Sequence, residues 1–85
     1  MRKTRDVEIN DELYVVHELR VGDMMKIMPR LADEKKAADA TMDLMKLSVH
    51  SNGKPMAEAL EDVGLSTYME LTKHVMEVNG LQGKG

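Results

Sequence analysis

Three histidines, at positions 17, 50 and 74, are the side chains here best suited to ligate a metal or move a proton near neutral pH. A zinc centre needs three or four ligands at compatible spacing, and this chain has no cysteine and no His-x-x-x-His pair. Glu70 and His74 stand four residues apart, which reads as a surface pair on one helix. Ser48, Ser51 and Ser66 fall at a helix end, in a turn and at a helix start, where backbone capping accounts for each hydroxyl. Gly53 and Gly64 are isolated, so neither belongs to a phosphate-cradling loop. The sequence therefore predicts no catalytic, cofactor or metal site, and a chain that is not an enzyme.

Eighty-five residues, 42% of them hydrophobic and 32% charged, describe one small globular core. Its apolar stock is unusual: nine methionines and two tyrosines, with no phenylalanine or tryptophan. Methionine fills irregular gaps and adapts to varied partners, so such a core is soft and such a surface accommodating. The absence of cysteine excludes disulfides and fits a reducing compartment. No apolar run approaches the ~20 residues of a membrane helix, and the basic start Met1-Arg-Lys-Thr-Arg5 leads into no signal-peptide segment. The expectation is a cytoplasmic protein without a membrane partner. A net charge of -3, with basic residues scattered among acids after that start, argues against nucleic acid.

The elements follow from periodicity. Residues 1–5 read as a basic disordered start, 6–81 as a single α+β domain and 82–85 as a flexible tail. Val7 and Ile9 alternate with Asp6, Glu8 and Asn10, and a second alternating run extends to Leu19, so the chain opens with a β-hairpin turning at Asn10-Asp11-Glu12. Three to four short helices follow. The first is expected to start at Gly22-Asp23, with Asp23 as its cap, to carry Val21, Met24, Met25, Met28 and Leu31 on one amphipathic face, and to break near Pro29. The second is expected from Asp33, as cap, to about Val49. His50-Ser-Asn-Gly-Lys-Pro55 marks a sharp reversal. Met56, Ala59, Leu60 and Val63 form a short stripe ended by Gly64. Ser66 is expected to cap a last helix burying Tyr68, Leu71, Thr72, Val75, Met76 and Val78, ended by Asn79-Gly80.

Residues 57–74 also have the cadence of a helix-turn-helix, with Gly64 at the turn and Ser66 opening the second helix. A small DNA-binding regulator is thus an alternative function. Its recognition helix, however, would carry Thr67, Tyr68 and Glu70, with Lys73 and His74 only later, which is poor chemistry for bases and phosphates.

The layout resembles the small tail assembly chaperones of tailed bacteriophages and prophages. The resemblance is carried by Val16-His-Glu-Leu19 followed by Arg20-Val-Gly-Asp23, by the turn in Leu47-Ser-Val-His-Ser-Asn-Gly-Lys-Pro55, and by the close from Leu71 to Val78-Asn-Gly-Leu81. It implies a non-catalytic adaptor in the bacterial host cytoplasm that holds the long helical tape measure protein, or another tail protein, during tail assembly. The family supplies no catalytic motif to transfer. Met24, Met25 and Met28, three methionines within five residues, are the candidate protein-binding residues. An exposed hairpin edge also makes a homo-oligomer an expected possibility.

Overall fold

A computed structural model describes residues 2–56 and 59–81. The chain opens with β1 (Thr4–Ile9) and β2 (Glu12–His17), antiparallel, with Ile9 opposite Glu12 and Thr4 opposite His17. Asn10 and Asp11 take φ of 53° and 68°, the left-handed pair that a two-residue hairpin requires. Glu12 belongs to β2, so the turn is tighter than expected by one residue. The strand also starts earlier than expected. Thr4 and Arg5 lie in β1, and Lys3 exchanges bonds with Glu18, so residues 3–5 belong to the ladder rather than to a disordered start. The expected tail at 82–85 lies outside the described residues.

The reversal at Asn52-Gly53 is a second hairpin. Both residues have positive φ, 55° and 77°, and they join β3 (Val49–Ser51) to β4 (Lys54–Pro55). Val49 pairs with Val16 and His50 with Val15, which completes a four-stranded antiparallel sheet in the order β1-β2-β3-β4. Pro55, which lacks an amide hydrogen, sits on an edge strand where none is needed.

Among the described residues three α-helices accompany the sheet: α1 (Val21–Leu31), α2 (Ala37–Ser48) and α3 (Leu65–Val78), with one 3-10 turn at Ala59–Asp62. The expected α+β domain, a hairpin followed by helices, is the observed one. Val7, Tyr14, Val16 and Val49 present the buried side of the sheet. Against them pack Ala40, Leu44 and Met45 of α2 and Leu71, Val75 and Val78 of α3.

Several boundaries differ from the periodicity reading. No side chain caps α1; Asp23 sits in its first turn beside Arg20, 3.6 Å away. The helix runs through Pro29 to Leu31, because the amide that proline lacks falls in the last turn on an exposed flank. Asp33 caps a connecting turn rather than α2: its Oδ1 accepts the Lys35 N–H at 3.0 Å, and its carbonyl accepts that of Lys36 at 2.9 Å. Gly64, not Ser66, precedes α3. The end of α3 is as read. Gly80, at φ 68°, donates to the Glu77 carbonyl at 3.2 Å and Leu81 to that of Met76 at 2.8 Å, which is the Schellman closure.

Candidate protein-binding surface

α1 departs most from its expected burial. Its one fully buried side chain is Ile27, which lies off the predicted stripe, while Met24 and Leu31 pack partly against the core. Val21, Met25 and Met28, spaced four and three residues apart, remain 75%, 70% and 46% exposed. The helix rests on the domain through Ile27, with Met24 and Leu31 partly covered beside it, and the flank of Val21, Met25 and Met28 faces water. Of the three candidate methionines, then, Met25 and Met28 are surface residues and Met24 is half-buried.

At its C-terminal end this flank runs into a shallow apolar depression of about 420 Å³. It is lined by Met28, Leu31 and Ala32, by Ala37 and Thr41 of α2, and by Met76 of α3 and Leu81 beyond that helix. Every lining side chain but Thr41 is apolar, and the Thr41 hydroxyl is occupied by donating to the Ala37 carbonyl at 2.8 Å. The surface thus offers dispersion and area with few directional polar groups. Ala32, Ala37, Met76 and Leu81 were not identifiable as surface lining from sequence, since three separate segments meet there.

The histidines divide into two groups. His17 and His50 approach across β2 and β3 with ring centroids 4.2 Å apart. Burial, the His50 ring and the Arg2 charge, in that order, lower the pKa of His17. His74 lies on α3, where the Arg5 guanidinium donates to its Nδ1 at 3.1 Å and also to the Glu77 carboxylate. Because arginine only donates, His74 Nδ1 accepts, and its ring proton is assigned to Nε2, 3.7 Å from Glu70 Oε2. This network ties the start of β1 to α3. Among the described residues no group of three or more His, Asp or Glu side chains is placed to hold a metal ion.

In the segment with helix-turn-helix cadence, Ala57 and Glu58 lie outside the described residues, and the next element is the 3-10 turn rather than an α-helix. α3 turns Thr67 and Leu71 into the core and exposes Leu65, Ser66, Met69, Glu70 and Lys73. Among the described residues no helix is long and apolar enough to cross a membrane.

Comparison with protein-family models, curated proteins and solved structures finds no match, so the reading of this surface rests on the chain's own residues.

Proposed function

We propose that this protein is a non-catalytic assembly chaperone or adaptor of the bacterial host cytoplasm that holds an apolar helical partner, the tape measure protein of a phage tail, on the open flank of α1. The supporting observation is the continuity of exposed Val21, Met25 and Met28 with the depression bounded by Leu31, Met76 and Leu81. A helix is about 10 Å across and presents anchors at i, i+3, i+4 and i+7. An adjoining stripe and depression suit that shape. Methionine suits a client whose sequence varies along its length, because its unbranched side chain repacks around different neighbours.

The resemblance to tail assembly chaperones supports the same reading through Val16-His-Glu-Leu19 and the segments that follow it. The test is co-purification with a helical tape measure fragment. Met25→Glu places a charge on a side chain 70% exposed, so folding should survive while client retention falls at least about tenfold. Undiminished retention by a folded Met25→Glu protein would remove this flank as the binding surface.

A further inference from the structure

The opposite flank of α1 is chemically unlike the first. There Asp23, Lys26 and Arg30 face Asp43, Lys46 and Leu47 of α2 across a depression of about 320 Å³. A second depression, about 220 Å³, continues from it toward Arg2, Leu19, Arg20 and His50. The two share Asp23, Lys46 and Leu47, so they form one trough running from the helix pair to the end of the sheet.

Its charge is opposite to that of the chain. Arg2, Arg20, Lys26, Arg30 and Lys46 line the trough against only Asp23 and Asp43, in a protein of net charge -3. Both aspartates are engaged: Asp43 by Arg30 at 2.8 Å and Asp23 by Arg20 at 3.6 Å. Lys46 reaches outward to Glu61, a mostly exposed carboxylate at 3.2 Å, and Lys26 and Arg2 have no carboxylate partner among the described residues. Between these cations the floor is apolar. Leu47 is 47% exposed, with Ile27 beneath it and Leu19 and Pro55 further along.

We propose that this trough is a docking site for an acidic, amphipathic segment of a partner protein. Carboxylates on the segment would meet Lys26, Lys46 and Arg2, and one apolar side chain would cover Leu47. The exposed leucine decides between anionic partners: a nucleic-acid backbone would neutralise the cations yet leave Leu47 wet, whereas an amphipathic peptide meets both requirements. Electrostatic complementarity of this kind sets specificity and association rate, and it weakens with salt. Because the trough and the methionine flank lie on opposite sides of α1, this site does not depend on the reading of the other.

The probe is a fluorescein-labelled peptide of about 14 residues, roughly four helical turns, with leucine at every third or fourth position and glutamate between. Anisotropy is followed at low and at physiological salt, with a thymidine oligonucleotide of equal charge and a second labelled copy of this chain as competitors. Peptide binding that falls with salt, drops at least about tenfold in the Lys26→Glu/Lys46→Glu protein and survives Met25→Glu supports the site. Leu47→Asn should weaken the peptide and leave any oligonucleotide binding unchanged. If the double reversal does not fold, Arg2→Ser/Lys26→Gln, which alters exposed side chains, gives the same reading. Absence of binding at low salt, equal binding by the charge-altered protein, or tighter binding of the oligonucleotide or of a second copy overturns the proposal.

Discussion

The backbone N–H of Leu19 donates to the side-chain oxygen of Asn79 at 2.8 Å, joining the end of the first hairpin to the end of α3 across sixty residues of chain. The same side chain donates through Nδ2 to the Val75 carbonyl at 2.9 Å. Asn79 therefore does two tasks: it gives the Val75 carbonyl, which already accepts the Asn79 backbone N–H at 3.1 Å, a second donor in the last turn of α3, and it satisfies an amide leaving the sheet. Asn79→Ala strands a part-buried donor and should cost about 1–3 kcal/mol in denaturant unfolding. A loss below about 0.5 kcal/mol, within the range of ordinary surface changes, would show that water replaces the latch.

Acid should loosen the contact between β1 and α3. The Arg5 hydrogen bond is the main reason the Glu77 carboxyl lies below its usual value of 4.5. A carboxylate with a depressed folded pKa binds fewer protons than the unfolded chain does, so its stabilisation is present above about 4.5 and is lost as pH falls through the folded value. In thermal melts across that window, Glu77→Gln should flatten the acid limb of the stability curve. An unchanged limb would place the acid sensitivity elsewhere.

A separate titration belongs to the sheet. His17 has a pKa below its usual 6.5, chiefly through burial and then through repulsion by His50 and Arg2. The unfolded chain takes up that proton first, so the stability tied to neutral His17 is complete above about 6.5 and declines as pH falls toward the folded value. Replacing His17 with Gln should remove this slope while leaving the one governed by Glu77. Melting curves at closely spaced pH values separate the two, and a slope that persists in the His17→Gln protein would assign it to another group.

Ser48 carries a fully buried hydroxyl oxygen with no hydrogen-bond partner among the described residues. It lies where α2 passes directly into β3, in contact with the core. Ser48→Ala removes an unsatisfied polar atom at nearly constant volume and should leave stability unchanged or raise it by about 1 kcal/mol. A loss of similar size would mean that the hydroxyl is bonded in solution.

The parts of this fold legible in the sequence are those governed by short-range stereochemistry. Asn10-Asp11 and Asn52-Gly53 announce turns because few residues tolerate positive φ, and Asn79-Gly80 announces a helix end for the same reason. β3 and β4, three and two residues long, are too short to show alternation, and they are defined by pairing: Val49 opposite Val16 on β2, and His50 opposite Pro55 within the second hairpin. The apolar flank of α1 shows what periodicity leaves out. Val21, Met25 and Met28 have the spacing of a buried stripe, yet spacing does not reveal what covers it, and the helix packs instead through Ile27, Met24 and Leu31. The methionine cluster was thus legible as residues, and the exposure of Met25 and Met28 was not. The basic trough was hidden for a simpler reason: Arg2 of the basic start, Arg20, Lys26 and Arg30 at and along α1, and Lys46 of α2 are brought together only by the fold.

Of the three helices α1 encloses least: Ile27 is its one fully buried side chain, with Met24 and Leu31 only partly covered, and the least enclosed element of a domain is the part that opens at least cost. Enclosing one isoleucine stabilises by roughly 1.5–3 kcal/mol, far less than the interlocked rows of Leu44, Met45, Leu71 and Val75 contribute to the other two helices. Amide protons of Val21–Leu31 should accordingly exchange with deuterium ahead of those in Ala37–Ser48 and Leu65–Val78. That ordering would let the exchange rate of this one segment report a partner bound on either of its sides.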